Sequence, residues 1–393
     1  MTNILIFSPL SLNYGRGGEF SIIELASSLK KYFNVTLVDT NKILGKESKI
    51  LSKKILNDKL EGIKRDEFKL AIISIFNKYF SIPYPYRFLK LLKRVKESDV
   101  VIFSISGIGT NIIFLILRLL TVRPRFIVSH RIPLYSFKKH SFHNLRLKIS
   151  FVLFTIFKKR FYHHTISYRR KKFLEAYYKP DKVFHIRHCI ELNKFLQDFE
   201  AIDQDNCLKF IYVGNLDSVD KGIDILIHAI ENILKENKTF KTKFEFCGKG
   251  PLESKIKDLE SKFPNHVKFN GYVSYNEVPK YYGKSDVFLF TSRREAFGRV
   301  IIEALASKLL IISTKTIGSN EILKGKEFAF FLNTLNTLEI EATIKKVYNL
   351  WENEPQKFNK LKKLARRHAL ENYDYSHELS GFVQLINSII KRR

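Results

Sequence analysis

The sequence predicts an α/β protein built from two doubly wound parallel-sheet domains. Its length of 393 residues exceeds what one hydrophobic core usually supports. Two separate series of short apolar strands alternate with helical segments, the pattern of Rossmann-like parallel sheets. A polar, acidic stretch lies between the two series. We therefore expect an N-terminal domain at 1–190, a linker at 191–206, a second domain at 207–370, and a C-terminal helix at 371–393 that packs back on the first domain.

Each half of the chain follows the same order of elements. In the first half the predicted strands are NILIFSPL, NVTLVDT, DVVIFSIS and RFIVSH, with the helix FSIIELASSLKKY after the first strand. In the second half they are LKFIYVGN, KFEFCGKG, HVKFNGYV, DVFLFTS and LLIISTK, with the helix GIDILIHAIENILKE after the first strand. Two such sheets are expected to face a cleft. The site should then lie at the turns that follow the strands, because parallel sheets bind ligands beyond their carboxyl ends.

The cysteines and the start of the chain indicate a cytoplasmic protein. Cys189, Cys207 and Cys247 share no metal-ligand spacing and are too scattered for a disulfide framework, so we interpret them as reduced thiols. The first residues lack the basic region and cleavage site of a signal peptide. One uncharged segment, 100–117, approaches the length of a membrane span. Its small, polar centre favours a strand, a turn and a helix start instead.

Positive charge is concentrated in the first half of the chain. The net charge is +29, and residues 1–200 carry 37 Lys and Arg against 15 Asp and Glu. The block 100–174 has no acidic residue, and within it RLKISFVLFTIFKKRFYHH has the composition of a helix on an anionic membrane surface. A basic, solvated face is the alternative. No nucleic-acid-binding motif accompanies the charge, so we expect a peripheral position on the cytoplasmic face of a membrane and no nucleic-acid partner.

Three glycine-containing turns follow predicted strands. In NYGRGGEF, Gly17 and Gly18 allow the backbone amides to approach a phosphate or a substrate closely. In GNLDSVDKG, Lys221 and Gly222 start a helix, where an ammonium group and free amides form an anion site. Gly248 in CGKGP ends a strand. Each of these turns also has a purely structural interpretation, since glycine turns and surface lysines are common.

The stretch EAFGRVIIE contains two glutamates on either side of a helix start. Glu295 lies in the turn after a predicted strand, and Glu303 lies roughly two turns below Glu295, in the apolar helix that follows. The amides around Phe297, Gly298 and Arg299 form the helix N-terminus between them. The two carboxylates can accept hydrogen bonds from hydroxyl groups, and the backbone amides can donate to a phosphate. Together they match a ligand that contains a sugar, a diphosphate and a ribose. Alternatively, Glu303 reaches solvent at the rim of the helix and Glu295 is an ordinary helix-start acid.

Together these features resemble the family 4 retaining glycosyltransferases, which have the GT-B fold of two Rossmann-like domains. The resemblance covers most of the chain, and its most specific part is the pair of glutamates separated by seven residues with Phe297 and Gly298 between them. It implies that Glu295 contacts the donor hexose and that Glu303 holds the ribose hydroxyls. The other motifs that carry it are the glycine loop with Glu24-Leu25, FIVSHR, IRHCIELNKF, GNL with Lys221-Gly222, CGKGPLESKI, GYVSYNEVPKYYGKSDVFLFTS and IGSNEIL.

The resemblance also assigns roles to other residues. Lys221 and the helix amides would stabilise the leaving diphosphate, and His130 would face the donor sugar from the first domain. Without the resemblance, a histidine that ends a strand is more often a packing residue. The expected catalytic residues are thus Glu295, Lys221 and His130. The expected donor-binding residues are Gly17, Gly18, Asn215, Gly248, Phe297, Gly298, Arg299 and Glu303.

Several positions depart from the family's pattern, while the two glutamates and the lysine stay in place. Asn215 stands where the family has a diphosphate-binding arginine, which leaves that charge to Lys221 with help from Arg293, Arg294 or Arg299. The other departures are His188-Cys189 for an Asn-Gly pair, Lys308 and Leu310 for a glycine and a proline, and Ile317 for the first glycine of a pair that keeps Gly318.

The predicted activity is hexose transfer with retention from a UDP-, GDP- or ADP-sugar to a saccharide or lipid-linked saccharide, in cell-surface glycan synthesis. The D-x-D sequence Asp203-Gln204-Asp205 lies in the predicted linker and is interpreted as solvated, so no metal or other cofactor is expected. Two alternatives stay open: a nucleotide-sugar 2-epimerase, and a non-catalytic membrane-surface protein on a degenerate transferase fold.

Overall fold

The computed structural model describes most of the chain, which divides into two compact units. One unit contains Met1–Arg187 and Ser376–Arg393, and the other contains His188–Tyr375. The described residues are 1–8, 17–40, 61, 63–68, 70–75, 78–83, 85–104, 108–130, 155, 160–197, 206–236, 240–295 and 297–391.

The first unit is built on a seven-stranded parallel sheet with the strand order β3-β2-β1-β6-β7-β8-β9. Its central strands are buried apolar runs, as expected for strands covered on both faces. A separate antiparallel pair is formed by β4 and β5. The strands are β1 Asn3–Ser8, β2 Asn34–Thr40, β3 Lys64–Phe68, β4 Leu70–Ile75, β5 Lys78–Pro83, β6 Val100–Ser104, β7 Arg125–His130, β8 Phe161–Thr165 and β9 Val183–His185. The helices are α1 Gly17–Leu29, α2 Pro85–Glu97, α3 Ile108–Leu119 and α4 Tyr168–Glu175.

The second unit is built on a six-stranded parallel sheet with the order β12-β11-β10-β13-β14-β15. In both sheets the first strand lies in the middle and the order reverses beside it, which confirms the predicted doubly wound α/β class. The strands are β10 Leu208–Val213, β11 Thr242–Cys247, β12 Val267–Gly271, β13 Val287–Phe290, β14 Leu310–Thr314 and β15 Ala329–Leu332. The helices are α5 Ile223–Glu236, α6 Glu253–Lys262, α7 Val278–Gly283, α8 Arg299–Ala306, α9 Ile317–Leu323, α10 Thr337–Asn353 and α11 Pro355–Tyr373.

The last helix, α12 at Tyr375–Lys391, packs into the core of the first unit. Phe382, Leu385, Ile386 and Ile389 are each at most 3% exposed and lie in one cluster with strand residues of the first sheet. Each such side chain contributes about 1.5–3 kcal/mol through burial, so the helix is an integral part of this core. The chain therefore leaves the first unit after Arg187 and returns to it at Ser376.

The structure differs from the predicted linker in its first part. Leu192 and Phe195 are buried, and the Ser307 hydroxyl donates a hydrogen bond to the Phe195 carbonyl at 3.3 Å. Residues 188–197 thus pack within the second unit because they carry apolar side chains that its helices cover. The rest of the predicted linker, 198–205, with Asp203 and Asp205, lies outside the described residues.

The basic, aromatic segment before residue 165 is in part a strand. The prediction of a surface helix is wrong for residues 161–164, because they belong to the strand β8, whose five side chains are all buried. Two phenylalanines pack edge to face there, with the ring centroids of Phe126 and Phe161 6.0 Å apart. Lys158 and Lys159 lie outside the described residues.

The uncharged segment 100–117 contains two elements. Strand β6 ends at Ser104, and α3 begins at Ile108, as its polar centre predicted. Among the described residues, no helix is both long and apolar enough to cross a membrane.

Candidate functional site

A lysine and a glutamate meet at the carboxyl edge of the second sheet. Lys221 lies in the loop after β10, and Glu295 lies in the loop after the neighbouring strand β13. Lys221 Nζ is 2.8 Å from Glu295 Oε2, and each side chain is 24% exposed. The two opposite charges are therefore paired and still accessible to a ligand from solvent.

The backbone around Lys221 is held by three polar contacts. The Asp217 carboxylate accepts the N–H groups of Asp220 and Lys221 at 2.8 and 3.3 Å, and the Thr291 hydroxyl donates to the Lys221 carbonyl at 2.9 Å. Gly222 has a φ of +62°, and a Cβ there would lie 2.5 Å from the Thr291 carbonyl oxygen. Only glycine fits this close crossing of the two loops, which fixes the lysine at the start of α5.

The loop that carries Glu295 is fixed by the helix behind it. The Gly318 N–H donates to the Glu295 carbonyl at 3.3 Å, and a Cβ on Gly318 would lie 2.1 Å from the Phe297 carbonyl oxygen. Gly298 is the N-cap of α8 with a left-handed φ of +93°. Gly318, the retained member of the family's glycine pair, is thus required by a backbone contact with the predicted site.

Glu303 lies inside α8 and is 4% exposed. The pKa of the buried Tyr282 phenol is raised first by burial and next by the negative charge of Glu303. At this depth the carboxylate does not lie at a solvated rim of the helix, which was the alternative for Glu303.

The three arginines proposed as helpers for Lys221 all make contacts of their own. Arg293 pairs with Asp224 at 3.3 Å and donates to the Ser218 carbonyl, and Arg294 pairs with Asp220. The Arg299 guanidinium donates to His188 Nε2 at 3.5 Å and to the Tyr275 hydroxyl at 3.4 Å. The His188 ring lies 4.9 Å from the Phe297 ring. His188, one of the departures from the family's pattern, thus contacts two of the predicted donor-binding residues.

Two loops at the same edge touch backbone to backbone. The Gly214 N–H donates to the Cys247 carbonyl at 3.0 Å, and a Cβ on Gly248 would lie 1.9 Å from the Gly214 oxygen. Asn215 is exposed. Its backbone carbonyl accepts a 2.7 Å hydrogen bond from the Tyr212 hydroxyl. Of the predicted donor-binding residues in this unit, Asn215 therefore lies in the same loop as Lys221, and Gly248 packs against that loop.

The other predicted residues belong to the first unit. His130 ends β7 but is 1% exposed, and its Nε2 lies 3.0 Å from His163 Nδ1 on the neighbouring strand β8. Burial, followed by the charge of Arg170, lowers the pKa of His130 well below 6.5, and burial lowers the pKa of His163 to about 3. Both rings are therefore neutral at physiological pH.

Gly17 and Gly18 begin α1, as the predicted glycine turn requires. Gly15 lies outside the described residues. Within the part of the chain that the structure describes, no group of three or more His, Cys, Asp or Glu side chains is arranged to hold a metal ion.

Local sequence patterns do not mark several residues that shape the site. Thr291 and His188 act through contacts with residues distant along the chain, as in the bond from Thr291 to Lys221, whereas Asp217 accepts from residues three and four positions later. The Ser-Thr-Asp composition of the turns after β10 and β13 was the available hint, since such side chains often satisfy loop backbone groups.

Comparison with known proteins identifies the second half of the chain. Residues 195–368 match the family described as glycosyl transferases group 1. The chain is 29% identical over 157 residues to the phosphatidylinositol N-acetylglucosaminyltransferase gpi3 subunit of Schizosaccharomyces pombe, covering 39% of this chain and 34% of that protein. It is 29% identical over 164 residues to the capsular polysaccharide biosynthesis glycosyltransferase CapM of Staphylococcus aureus, covering 41% of each.

The chain spans about a third to a half of the length of the curated relatives that it matches first. The whole chain superposes on the crystal structure of Anabaena HepE in complex with UDP-glucose, with a TM-score of 0.73 and 16% identity. That match covers 99% of this chain and 100% of HepE. Residues 195–368 are therefore similar to the glycosyl transferases group 1 family, in a chain that has the GT-B fold of two Rossmann-like domains.

Proposed function

We propose that the protein is a retaining hexosyltransferase that uses a nucleotide-diphosphate sugar as donor. The observation that carries this proposal is the 2.8 Å pair of Lys221 and Glu295 at the carboxyl edge of the second sheet. A partly exposed ammonium and carboxylate, side by side at a helix start, offer one group for phosphate and one for sugar hydroxyls. The UDP-glucose of HepE, a protein of the same fold, supports a donor of this class.

Lys221 and the first amides of α5 would act on the leaving group. As the bond between the anomeric carbon and the diphosphate breaks, negative charge grows on the phosphate oxygens. A cation and helix amides that are already in place stabilise this charge without reorganisation, which is worth on the order of 3 kcal/mol for each donor. We expect transfer to proceed without an added metal ion, because these groups supply the positive charge.

Glu295 and Glu303 would hold the two sugars of the donor. In the free protein Glu295 pairs with Lys221, so a bound donor would insert between them, with its hexose at the carboxylate and its diphosphate at the ammonium. Glu303, buried in α8, would accept hydrogen bonds from the ribose hydroxyls. The anomeric configuration would be retained if the acceptor hydroxyl attacks the anomeric carbon from the face that the leaving diphosphate vacates, as proposed for family 4. This route needs no separate protein nucleophile.

The acceptor is proposed to be a saccharide or a lipid-linked saccharide of a cell-surface glycan, met at the cytoplasmic face of a membrane. The concentration of positive charge in residues 1–200 supports an anionic surface as partner. The similarity to CapM, a capsular polysaccharide biosynthesis glycosyltransferase, supports a glycan acceptor.

The test is a two-stage donor screen. Thermal shift with UDP-, GDP- and ADP-sugars should select one nucleotide. The selected radiolabelled donor, incubated with membrane glycolipid extracts and without metal ions, should then label an acceptor with retained configuration by NMR. Glu295→Gln is the matched inactive variant. Epimerised donor in the absence of any acceptor, or no stabilisation by any nucleotide-sugar, would reject the proposal.

A further inference from the structure

Exposed apolar side chains gather on one face of the helix α3. Ile112, Ile116, Leu119 and Leu120 are 37 to 52% exposed, and Val122 just beyond the helix is 90% exposed. The other large apolar side chains that are exposed among the described residues are scattered along the chain and form no run on one helix. Successive residues among Ile112, Ile116, Leu119 and Leu120 are four, three and one positions apart, and this spacing puts their side chains on one face of a helix. These five residues are called the α3 stripe.

The opposite face of α3 is firmly anchored in the first unit. The Phe114 ring stacks on Phe103 with centroids 4.2 Å apart and meets Phe7 edge to face at 4.7 Å. Phe114 and Leu117 are fully buried. The exposure of the α3 stripe therefore does not come from a loosely packed helix, and the helix presents it as a fixed surface.

The surroundings of the α3 stripe are basic. The Arg118 guanidinium donates to the Arg160 carbonyl at 3.2 Å, which brings the end of α3 to the start of β8. Burial lowers the pKa of Arg118, and the positive charges of Arg160 and Arg125 lower it further. Arg123 pairs with Asp99 at 2.9 Å, and residues 100–174 supply no carboxylate at all.

We propose that the α3 stripe is a membrane-docking surface that inserts into the headgroup region of an anionic lipid bilayer. Charge complementarity selects this occupant, because an apolar stripe bordered by arginines matches the acyl boundary and the anionic headgroups together. A helix of 12 residues is about 18 Å long, too short for a hydrocarbon core of about 30 Å. The stripe thus lies in the plane of the interface. This inference deepens the membrane part of the proposed function and rests on it.

The experiment measures insertion directly with a fluorescent label. Val122→Cys is labelled with an environment-sensitive dye in a Cys207→Ser background, because Cys189 and Cys247 are buried. Leu338→Cys, at a position that is 74% exposed in the second unit, is the matched control. With vesicles of equal parts phosphatidylcholine and phosphatidylglycerol, the dye at 122 should shift to the blue and the dye at 338 should not.

A second measurement uses unlabelled protein and vesicle flotation. The double variant Ile116→Ser with Leu120→Ser should bind these vesicles about tenfold more weakly than wild type. Leu338→Ser with Leu370→Ser, which also removes two exposed aliphatic side chains, should bind as wild type does. Phosphatidylcholine vesicles alone should retain little protein.

Three results would overturn the inference. One is vesicle binding with an unshifted dye at 122, and another is equal binding to neutral vesicles. The third is a concentration-dependent dimer in light scattering that the Ile116→Ser, Leu120→Ser variant abolishes, which would make the stripe a contact between two copies. Donor binding in the thermal-shift screen is read separately, so failure of docking and failure of the donor site are distinguishable.

Discussion

The carboxyl edges of the two sheets use polar residues in opposite ways. At the edge of the second sheet, Lys221 and Glu295 carry opposite charges and stay partly exposed. At the edge of the first sheet, His130 is buried with His163, and a third buried histidine, His164, contacts the Ser129 hydroxyl at 2.8 Å. Both edges belong to parallel sheets of one doubly wound type.

This difference shows that position in the fold does not by itself assign a role. Charged groups that pair at the surface can exchange their partner for a ligand, because water hydrates both charges and makes their separation less costly. Buried neutral histidines contribute hydrogen bonds and packing to the fold, and charging them is costly. The proposed chemistry therefore rests on the second unit, and the expected effects of substitution differ between the two edges.

The largest expected effect concerns Lys221. Lys221→Ala should lower turnover about 100- to 1,000-fold, because it removes a preorganised cation from the leaving diphosphate. Initial rates with the selected donor measure this, and the melting temperature should stay near that of wild type. Lys357→Ala, which removes an exposed lysine paired with Glu354 at 2.8 Å, is the control. Insoluble protein with Lys221→Ala would mean that Lys221 supports the fold and not the chemistry.

A large loss of stability is expected at Gly248. Gly248→Ala places a Cβ 1.9 Å from the Gly214 oxygen, and neither backbone can move without breaking the loops of the site. We expect a loss of about 2–4 kcal/mol, since overpacking adds to an unfavourable φ. Gly325→Ala is a comparison without a clash, because Gly325 has a positive φ of +75° and open space around it. Denaturant unfolding followed by the fluorescence of Trp351 reports on this unit, and equal losses for the two variants would refute the steric explanation.

An acid-dependent loss of stability is expected for the first unit. The pKa of His163 falls from 6.5 to about 3 on folding. The unfolded chain therefore binds more protons between these values, and stability decreases as the pH falls through this window. The slope is about 1.4 kcal/mol per pH unit for each such histidine.

Unfolding followed by circular dichroism at pH 7 and pH 5 tests this prediction. His163→Phe should be less stable at pH 7, since His130 loses its partner, and should show a weaker pH dependence than wild type. His228→Gln, at an exposed position, should leave the pH dependence unchanged. An unaltered slope with His163→Phe would show that these rings are not the groups being titrated.

The smallest of the four effects is expected for Glu303. Glu303→Gln should weaken donor affinity about tenfold while changing kcat less, because ribose contacts are similar in the ground and transition states. Calorimetry with the free nucleotide measures it. Glu341→Gln, a buried carboxylate that accepts from Asn232 at 2.9 Å, should not alter affinity. If both variants bind the nucleotide as wild type does, the ribose assignment fails.

The sequence was most informative about elements that are buried on both faces. Strands such as β6 and β14 are continuous apolar runs between turn residues, so their type follows from composition. Strand β3, KRDEF, is mostly charged and carries no such pattern. In β8, FYHHT follows a run of lysine and arginine, and a short segment of this kind fits a helix period and a strand period equally well.

The candidate site was predictable where a residue type is rare in its local context. A glutamate inside VIIEALA and a lysine before a helix start both stand out in the sequence. The contacts that position them do not, because Thr291 is 70 residues from Lys221 and is joined to it only by the fold. The burial of His130 likewise depends on His163 in the next strand of the sheet, which no local pattern reveals.

The return of α12 to the first unit has a consequence for how the protein is made. The cluster that contains Ile4, Ile22 and Ile186 also contains Phe382 and Ile386, so it cannot close until residues 376–391 have been synthesised. The second unit, at 188–375, is complete earlier. Nascent chains therefore hold the apolar strands of the first unit with an unfinished core throughout translation of the second, and such chains are the aggregation-prone species that chaperones bind.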